Sequence, residues 1–312
     1  MMGACKSSTF SGSGSSKKPQ QTVETNADHL NNNMNQGASP VGCTPTVAFA
    51  GLNQGDPAVS IRPLKFQISQ SESTFAISGS VNGLQGTSCW RIVSNESEGS
   101  TDGLLKVEGT SFDQVLPLFC GQQLVQIIFP GLNAPTVATY EVNRLSCQKG
   151  GLRITLQWEV GVSDLEIHLI RDGGRINNTF SEAAKNDCTW TSCIETQIDW
   201  GQTGDRSDDP KKDIDDVGDS GLENIYLEKP ESKLYHVLVE YWGYGEKSHP
   251  VLTINIGSET KKFSPLNLTP QQVWYVGTID WASRSFHPLN KVADCADDWA
   301  GGCKKDWPKF FP

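Results

Sequence analysis

The stretch Asp164-Leu165-Glu166-Ile167-His168-Leu169 alternates polar and apolar residues without a break. In an extended chain successive side chains point to opposite faces. Leu165, Ile167 and Leu169 therefore line one face, and Asp164, Glu166 and His168 the other. A helix would scatter those apolar residues around its circumference, so the stretch reads as a β-strand with one face in a core. Working outward, the same alternation recurs at Leu152–Trp158, Glu223–Leu227, Leu234–Trp242, Val251–Ile256 and Val273–Asp280. Between 171 and 222 it nearly disappears, and a loop of about 50 residues inside a compact domain is usually functional or disordered.

Further upstream, from 42 to 147, short alternating runs follow one another at regular spacing. They are Val59–Ile68, Thr74–Val81 with Asn82-Gly83 turn chemistry behind it, Leu104–Val107, Phe112–Leu118, Leu124–Phe129 and Val137–Leu145. About seven strands in roughly 105 residues, without a helical stretch, suit an immunoglobulin-like sandwich. The run from Gly109 through Phe112–Leu118 to Gly121–Ile127 resembles the late strands of bacterial immunoglobulin-like modules. The expected fold class is all-β. A flexible segment over 1–41 precedes an immunoglobulin-like sandwich over 42–147 and a jelly-roll-like sandwich over 148–312.

A chain of 312 residues is long enough for two such cores. Its 36 acidic against 26 basic side chains give a net charge of −10. That balance argues against nucleic acid, whose phosphates need a clustered basic surface. No run reaches the roughly 18 apolar residues of a membrane helix.

Nine cysteines leave one without an internal partner. Four lie between 43 and 147 and four between 188 and 303, with Cys5 alone near the start. Even numbers in each half fit disulfides closed within each domain, and hence an oxidising compartment. The preferred pairing is Cys89–Cys120, Cys43–Cys147, Cys188–Cys193 and Cys295–Cys303, although four cysteines always permit three connectivities. Gly3-Ala4-Cys5 resembles the end of a bacterial lipobox, with Cys5 as the lipidated residue that ties the chain to a membrane. Lys6, rather than Asp, follows it, which in the Gram-negative sorting pattern implies the outer membrane. Residues 6–41 are Ser-, Gly-, Asn- and Gln-rich and too polar to offset the entropy of ordering them, as a tether should be.

The charge is unevenly spread. Between 199 and 223 nine acids face three bases, so a net −6 falls within 25 residues. Such a loop either spreads into water or neutralises a cation, and flexible carboxylates in this number suit Ca²⁺. Four motifs follow in order: Asp164-Leu165-Glu166-Ile167-His168, Asp208-Asp209-Pro210 with Asp213, Asp215 and Asp216, Gly221-Leu222-Glu223-Asn224-Ile225, and Tyr235–Trp242. Together they resemble a β-sandwich module of secreted proteins and surface lipoproteins in gliding and predatory bacteria. This chain has Glu166 where that pattern usually has Asp, and Leu222 where Pro is common. The resemblance implies a Ca²⁺ site built from Asp164, Asp213, Asp215, Asp216 and Glu223, with Glu166 and His168 beside it.

Trp190 and Trp299 each sit between near-neighbour cysteines, a placement that suits a rigid platform for a sugar or a partner. No nucleophile elbow, zinc-protease helix, phosphate loop or dinucleotide fingerprint occurs. The expected function is therefore a cell-surface lipoprotein that binds a glycan or a surface protein. A structural subunit of an envelope assembly is the alternative, and a secreted hydrolase the lesser one.

Overall fold

The computed structural model describes residues 72–81, 88–94, 99–129, 136–145, 147–158, 164–174, 176, 185–195, 198–217, 221–242, 245–265 and 267–294, with the strand path also given at 59–62 and 67–68. The expected tether, Cys5, Cys43, Trp299 and the Cys295–Cys303 pairing lie outside these residues.

The chain is all-β, with its strands arranged in two β-sandwiches. In the first, a three-stranded sheet has the order β1 (Val59–Arg62), β3 (Thr74–Val81), β6 (Ser111–Pro117). Its five-stranded partner runs β2 (Gln67–Ile68), β8 (Thr136–Arg144), β7 (Gly121–Phe129), β4 (Cys89–Ser94), β5 (Ser100–Leu104). All pairings are antiparallel except β2 with β8. Alternation decides the packing: Phe75 and Ile77 of β3 and Phe112 and Leu116 of β6 face inward onto Trp90, Ile92, Val125 and Ile127. Trp90, Ile92, Val125 and Ile127 are fully buried, which places the core between the sheets.

The second sandwich pairs two five-stranded sheets. One has the order β12 (Lys211–Ile214), β13 (Leu222–Leu227), β9 (Leu152–Gln157), β15 (Val251–Ile256), β16 (Glu259–Phe263). The other has the order β11 (Asp187–Cys188), β10 (Leu165–Arg171), β14 (Leu234–Tyr241), β17 (Gln272–Asp280), β18 (Ser285–Asp294). Leu165, Ile167 and Leu169 of β10 meet Ile154, Leu156, Ile225, Ile254 and Trp274 in one apolar cluster. The opposite face of β10 is buried as well. His168 is 0 % exposed and Glu166 2 %, because residues 187–193 fold back close to this end of the sheet.

The two sandwiches interlock. Ile214 of β12 and Leu222 of β13 belong to the apolar cluster of the first sandwich, although they lie more than sixty residues beyond its last strand. Arg144 of β8 pairs with Glu228 at 3.1 Å, Arg153 of β9 donates to the Leu118 carbonyl, and Lys262 of β16 pairs with Asp102 of β5. Asn255 of β15 donates to the Ser100 carbonyl at 3.2 Å.

Two disulfide expectations are corrected. Cys120 is bonded to Cys147, with the Cα atoms 5.6 Å apart. The β7–β8 register sets Gly121 opposite Arg144, so the residues just outside each strand end meet. Cys89 lies opposite Ile128, near the other end of β7. Eight residues of strand separate that point from Cys120, about 27 Å and far beyond disulfide reach. Cys89–Cys120 and Cys43–Cys147 therefore do not form, and Cys89 is oxidised in a different bridge. The local pair Cys188–Cys193 is present. Among the described residues no helix is long and apolar enough to cross a membrane.

Candidate functional site

At one corner of the second sandwich β10, β12 and β13 converge. Gly221 opens β13 in the left-handed region, at φ 64°, and a Cβ there would lie 2.3 Å from the Trp158 carbonyl oxygen. Only glycine fits this turn, which delivers Glu223 to the inside of the corner. Glu166 arrives from β10 and Lys212 from β12.

The Lys212 ammonium is the centre of this corner. Its Nζ lies 2.7 Å from Glu166 Oε1, 2.7 Å from Asp215 Oδ1 and 2.6 Å from Glu223 Oε1. The lysine, Glu166 and Glu223 are buried, and Asp215 faces the mouth with its side chain 28 % exposed. The backbone supplies a further donor to each glutamate. Trp190 N donates to Glu166 Oε1 at 2.9 Å, and Ile167 N donates to Glu223 Oε2 at 2.8 Å. Each carboxylate thus joins a strand edge to the lysine across the two sheets.

Burial works against the charge on Lys212, but Glu166, Glu223 and Asp215 outweigh it and hold the amine above the usual lysine range. Burial pushes Glu166 and Glu223 upward, with the neighbouring carboxylate adding to the rise at Glu223. Asp164 rises to about 7, first through burial and then through the charge of Glu166. Beside this centre, His168 bridges Asp187 Oδ2 at 3.0 Å through Nδ1 and Glu240 Oε2 at 3.2 Å through Nε2. Burial alone would lower its pKa, yet the two carboxylates carry it to about 10. The ring is an imidazolium at neutral pH, with both nitrogens donating.

Of the residues anticipated around a cation, the structure brings Glu166, Asp215 and Glu223 together, with Asp164 close enough to feel them. It separates two others. Asp213, on the opposite face of β12 from Lys212, accepts from Asn224 Nδ2 at 2.6 Å and lies in the field of Arg153 and Arg144. Asp216 accepts from the Gly221 and Leu222 amides and so fixes the turn into β13.

Among the described residues the other loop acids cap backbone amides: Asp209 takes Trp200 N at 2.6 Å, Asp208 takes Gln202 N at 2.8 Å, Asp199 takes Gly204 N at 3.1 Å and Asp205 takes Ser207 N at 3.0 Å. The density of acids thus reflects turn capping and one internal ammonium. The sequence alone assigns no role to Lys212 or Asp187, and it offers Glu240 only as one of many same-face neighbours of His236; the alternation of Lys212 with Asp213 is the available signal for the lysine.

Trp190 opens a short π-helical turn, Trp190–Glu195, that Cys188–Cys193 closes covalently. The Thr189 amide donates to Ser192 Oγ at 3.0 Å, and Cys193 N to the Thr189 carbonyl at 2.9 Å. The turn leaves Trp190 partly exposed and Ile194 44 % exposed.

No known protein family and no curated protein matches the chain. Among solved structures, a two-domain fibronectin type-III segment of chicken tenascin overlaps 68 % of this chain and 97 % of its own, at 11 % identity and a TM-score of 0.22. A chimeric titin tandem overlaps 66 % of this chain and 93 % of its own, at 10 % identity and a TM-score of 0.19.

Proposed function

We propose that the chain is an extracytoplasmic binding module that acts on a cell surface and recognises a glycan through the turn around Trp190. The observation that carries this reading is the build of that turn. A disulfide, the Glu166 carboxylate and an internal amide ladder hold it, while Trp190 and Ile194 stay accessible. Asp215, partly exposed, and Asp164, partly buried, belong to the same corner and offer carboxylate oxygens to sugar hydroxyls. An aromatic face with hydrogen-bond acceptors beside it is the chemistry of sugar recognition. Catalysis finds less support. Glu166, Glu223, Lys212 and His168 are each bound to counter-charges or backbone amides, so their acid–base capacity is directed inward.

Oxidised Cys120–Cys147 and Cys188–Cys193 fit a compartment outside the cytoplasm. Attachment to an outer membrane through lipid on Cys5 completes the reading. As for the ion, the Lys212 ammonium already sits among the carboxylates that Ca²⁺ would need, and we infer that the corner is built around the lysine.

The test is a glycan array probed with the full chain and with Trp190→Ala. Specific hits that Trp190→Ala removes without changing the melting temperature support the reading. Failure to bind any glycan, together with stoichiometric recovery of one envelope protein, replaces it with the assembly-subunit role.

A further inference from the structure

Lys212 lies on β12, the edge strand of its sheet, and Glu223 on the neighbouring β13. Both side chains are fully buried, and Nζ lies 2.6 Å from Glu223 Oε1. The two oxygens of Glu223 are engaged differently: Oε1 meets the amine, while Oε2 accepts from Ile167 N at 2.8 Å. Glu166 is arranged otherwise, since its Oε1 takes both Nζ, at 2.7 Å, and Trp190 N, at 2.9 Å. One carboxyl thus turns one oxygen to a nucleophile and has the other polarised by a backbone N–H, as a group open to acyl transfer should. The second carboxyl stands against the same amine as a proton acceptor. Burial, and then the charge of Glu166, push Glu223 toward its uncharged acid, the form whose carbon an amine can attack.

We propose that Lys212 Nζ and Glu223 Cδ condense into an amide that cross-links β12 to β13, with Glu166 as the general base and acid. The resting amine is an ammonium, and reaction begins when it passes a proton to the Glu166 carboxylate along their hydrogen bond. The nitrogen lone pair then attacks Cδ of the Glu223 acid, and negative charge collects on Oε2, where Ile167 N–H already donates. Glu166 returns its proton to the Oε1 hydroxyl and takes one from nitrogen, the Cδ–Oε1 bond breaks, and water leaves. The protons balance: three from the ammonium and one from the Glu223 acid end as one on the amide, two on water and one on Glu166. No oxidant, cofactor or activated carrier enters. Two features of the corner favour the product. The reacting groups are held in contact, which removes the entropy of bringing them together. The fully buried ion pair is also replaced by a neutral amide, which relieves its desolvation, and exclusion of water hinders the reverse hydrolysis. Asp215, partly exposed at the mouth, marks the way out for the water released. The bond pins an edge strand whose Ile214 is packed into the core of the first sandwich.

The experiment is peptide mass spectrometry of the full chain, incubated folded overnight, then reduced, denatured and digested with trypsin. Trypsin does not cut after an acylated lysine. The expected product is therefore one peptide that runs through Lys212 and Glu223, is lighter than its sequence by one water and gives no backbone fragments between the two residues. Lys212→Arg keeps the cation but removes the nucleophile, and its digest should show no such loss of water. Glu166→Gln, which keeps the amine and Glu223, should slow the reaction by about 100-fold or more. The wild-type measurement stands without either variant, so a variant that does not fold leaves the test intact. A wild-type peptide at its full sequence mass overturns the proposal. So does a link from Lys212 to Glu166 or Asp215 in place of Glu223, a water loss that Lys212→Arg retains, or an undiminished rate in a folded Glu166→Gln. This inference is independent of the glycan reading, which the array alone decides.

Discussion

At the residue scale, Lys212 shows how a single side chain sets the character of its surroundings. Replacing it with Met removes the ammonium that contacts Glu166, Asp215 and Glu223 and leaves two buried carboxylates without that counter-charge. The loss expected is about 3–5 kcal/mol, measurable by denaturant unfolding, whereas Lys211→Met one position earlier should cost far less. A loss below about 1 kcal/mol for Lys212→Met would show that the corner does not depend on the lysine.

Two groups give opposite substitution effects across pH. Asp164 is raised from 3.8 to about 7 in the folded state. Its protonated form is favoured by folding, so its contribution is complete below the unfolded pKa and is lost as pH rises through 7. Asp164→Asn should therefore raise the melting temperature at pH 8 and change it little at pH 4. His168 is raised from 6.5 to about 10. Its contribution is present below 6.5 and is lost as pH climbs to 10, so the wild type should weaken over that interval and His168→Gln should not. Full burial makes this an effect on the order of 4 kcal/mol.

At the element scale, strands were legible because period-2 alternation is written residue by residue. The sequence ranges 223–227, 234–242, 251–256 and 273–280 match β13, β14, β15 and β17 to within one residue at each end. Pairing was less legible. Nothing within β7 or β8 alone states that Gly121 faces Arg144, and that register decides which cysteines meet. The outward face of β10 was also hidden, because alternation predicts a polar face and does not say whether another segment covers it. Glu166 and His168 are buried by that covering, and their partners Trp190 and Asp187 come from a segment without periodicity. The same element carries a prediction. Cys188→Ser with Cys193→Ser frees the Trp190–Glu195 turn and should raise amide exchange there, and any glycan affinity should fall with it. Unchanged exchange at Trp190 would show that Glu166 and the Thr189–Ser192 contacts suffice.

At the scale of the whole molecule, the two halves could be separated on paper at 147/148, but their packing is shared. Ile214 and Leu222 are buried against the core of the first sandwich, and polar contacts of Arg144, Arg153, Lys262, Asn255 and Thr260 also cross between the two. A fragment of 148–312 alone should expose these residues, bind an apolar dye and unfold at lower denaturant than the full chain. The full chain should melt in one transition, and two well-separated calorimetric peaks would contradict the interlock. Adding millimolar Ca²⁺, or removing divalent ions with a chelator, should leave that transition within about 1 °C, since the carboxylates already hold Lys212. A clear Ca²⁺-dependent rise would restore the ion to the corner.

The shared core has a consequence for inheritance. Sandwich domains joined by open linkers can be copied, lost or exchanged one at a time by recombination, since each carries its own complete interior. Here a cut between β8 and β9 yields one piece with a gap where Ile214 and Leu222 belonged and another with those side chains uncovered. Each piece should be less stable alone than within the pair. The unit that recombination can move intact is the pair, and duplication of this protein should add sandwiches two at a time.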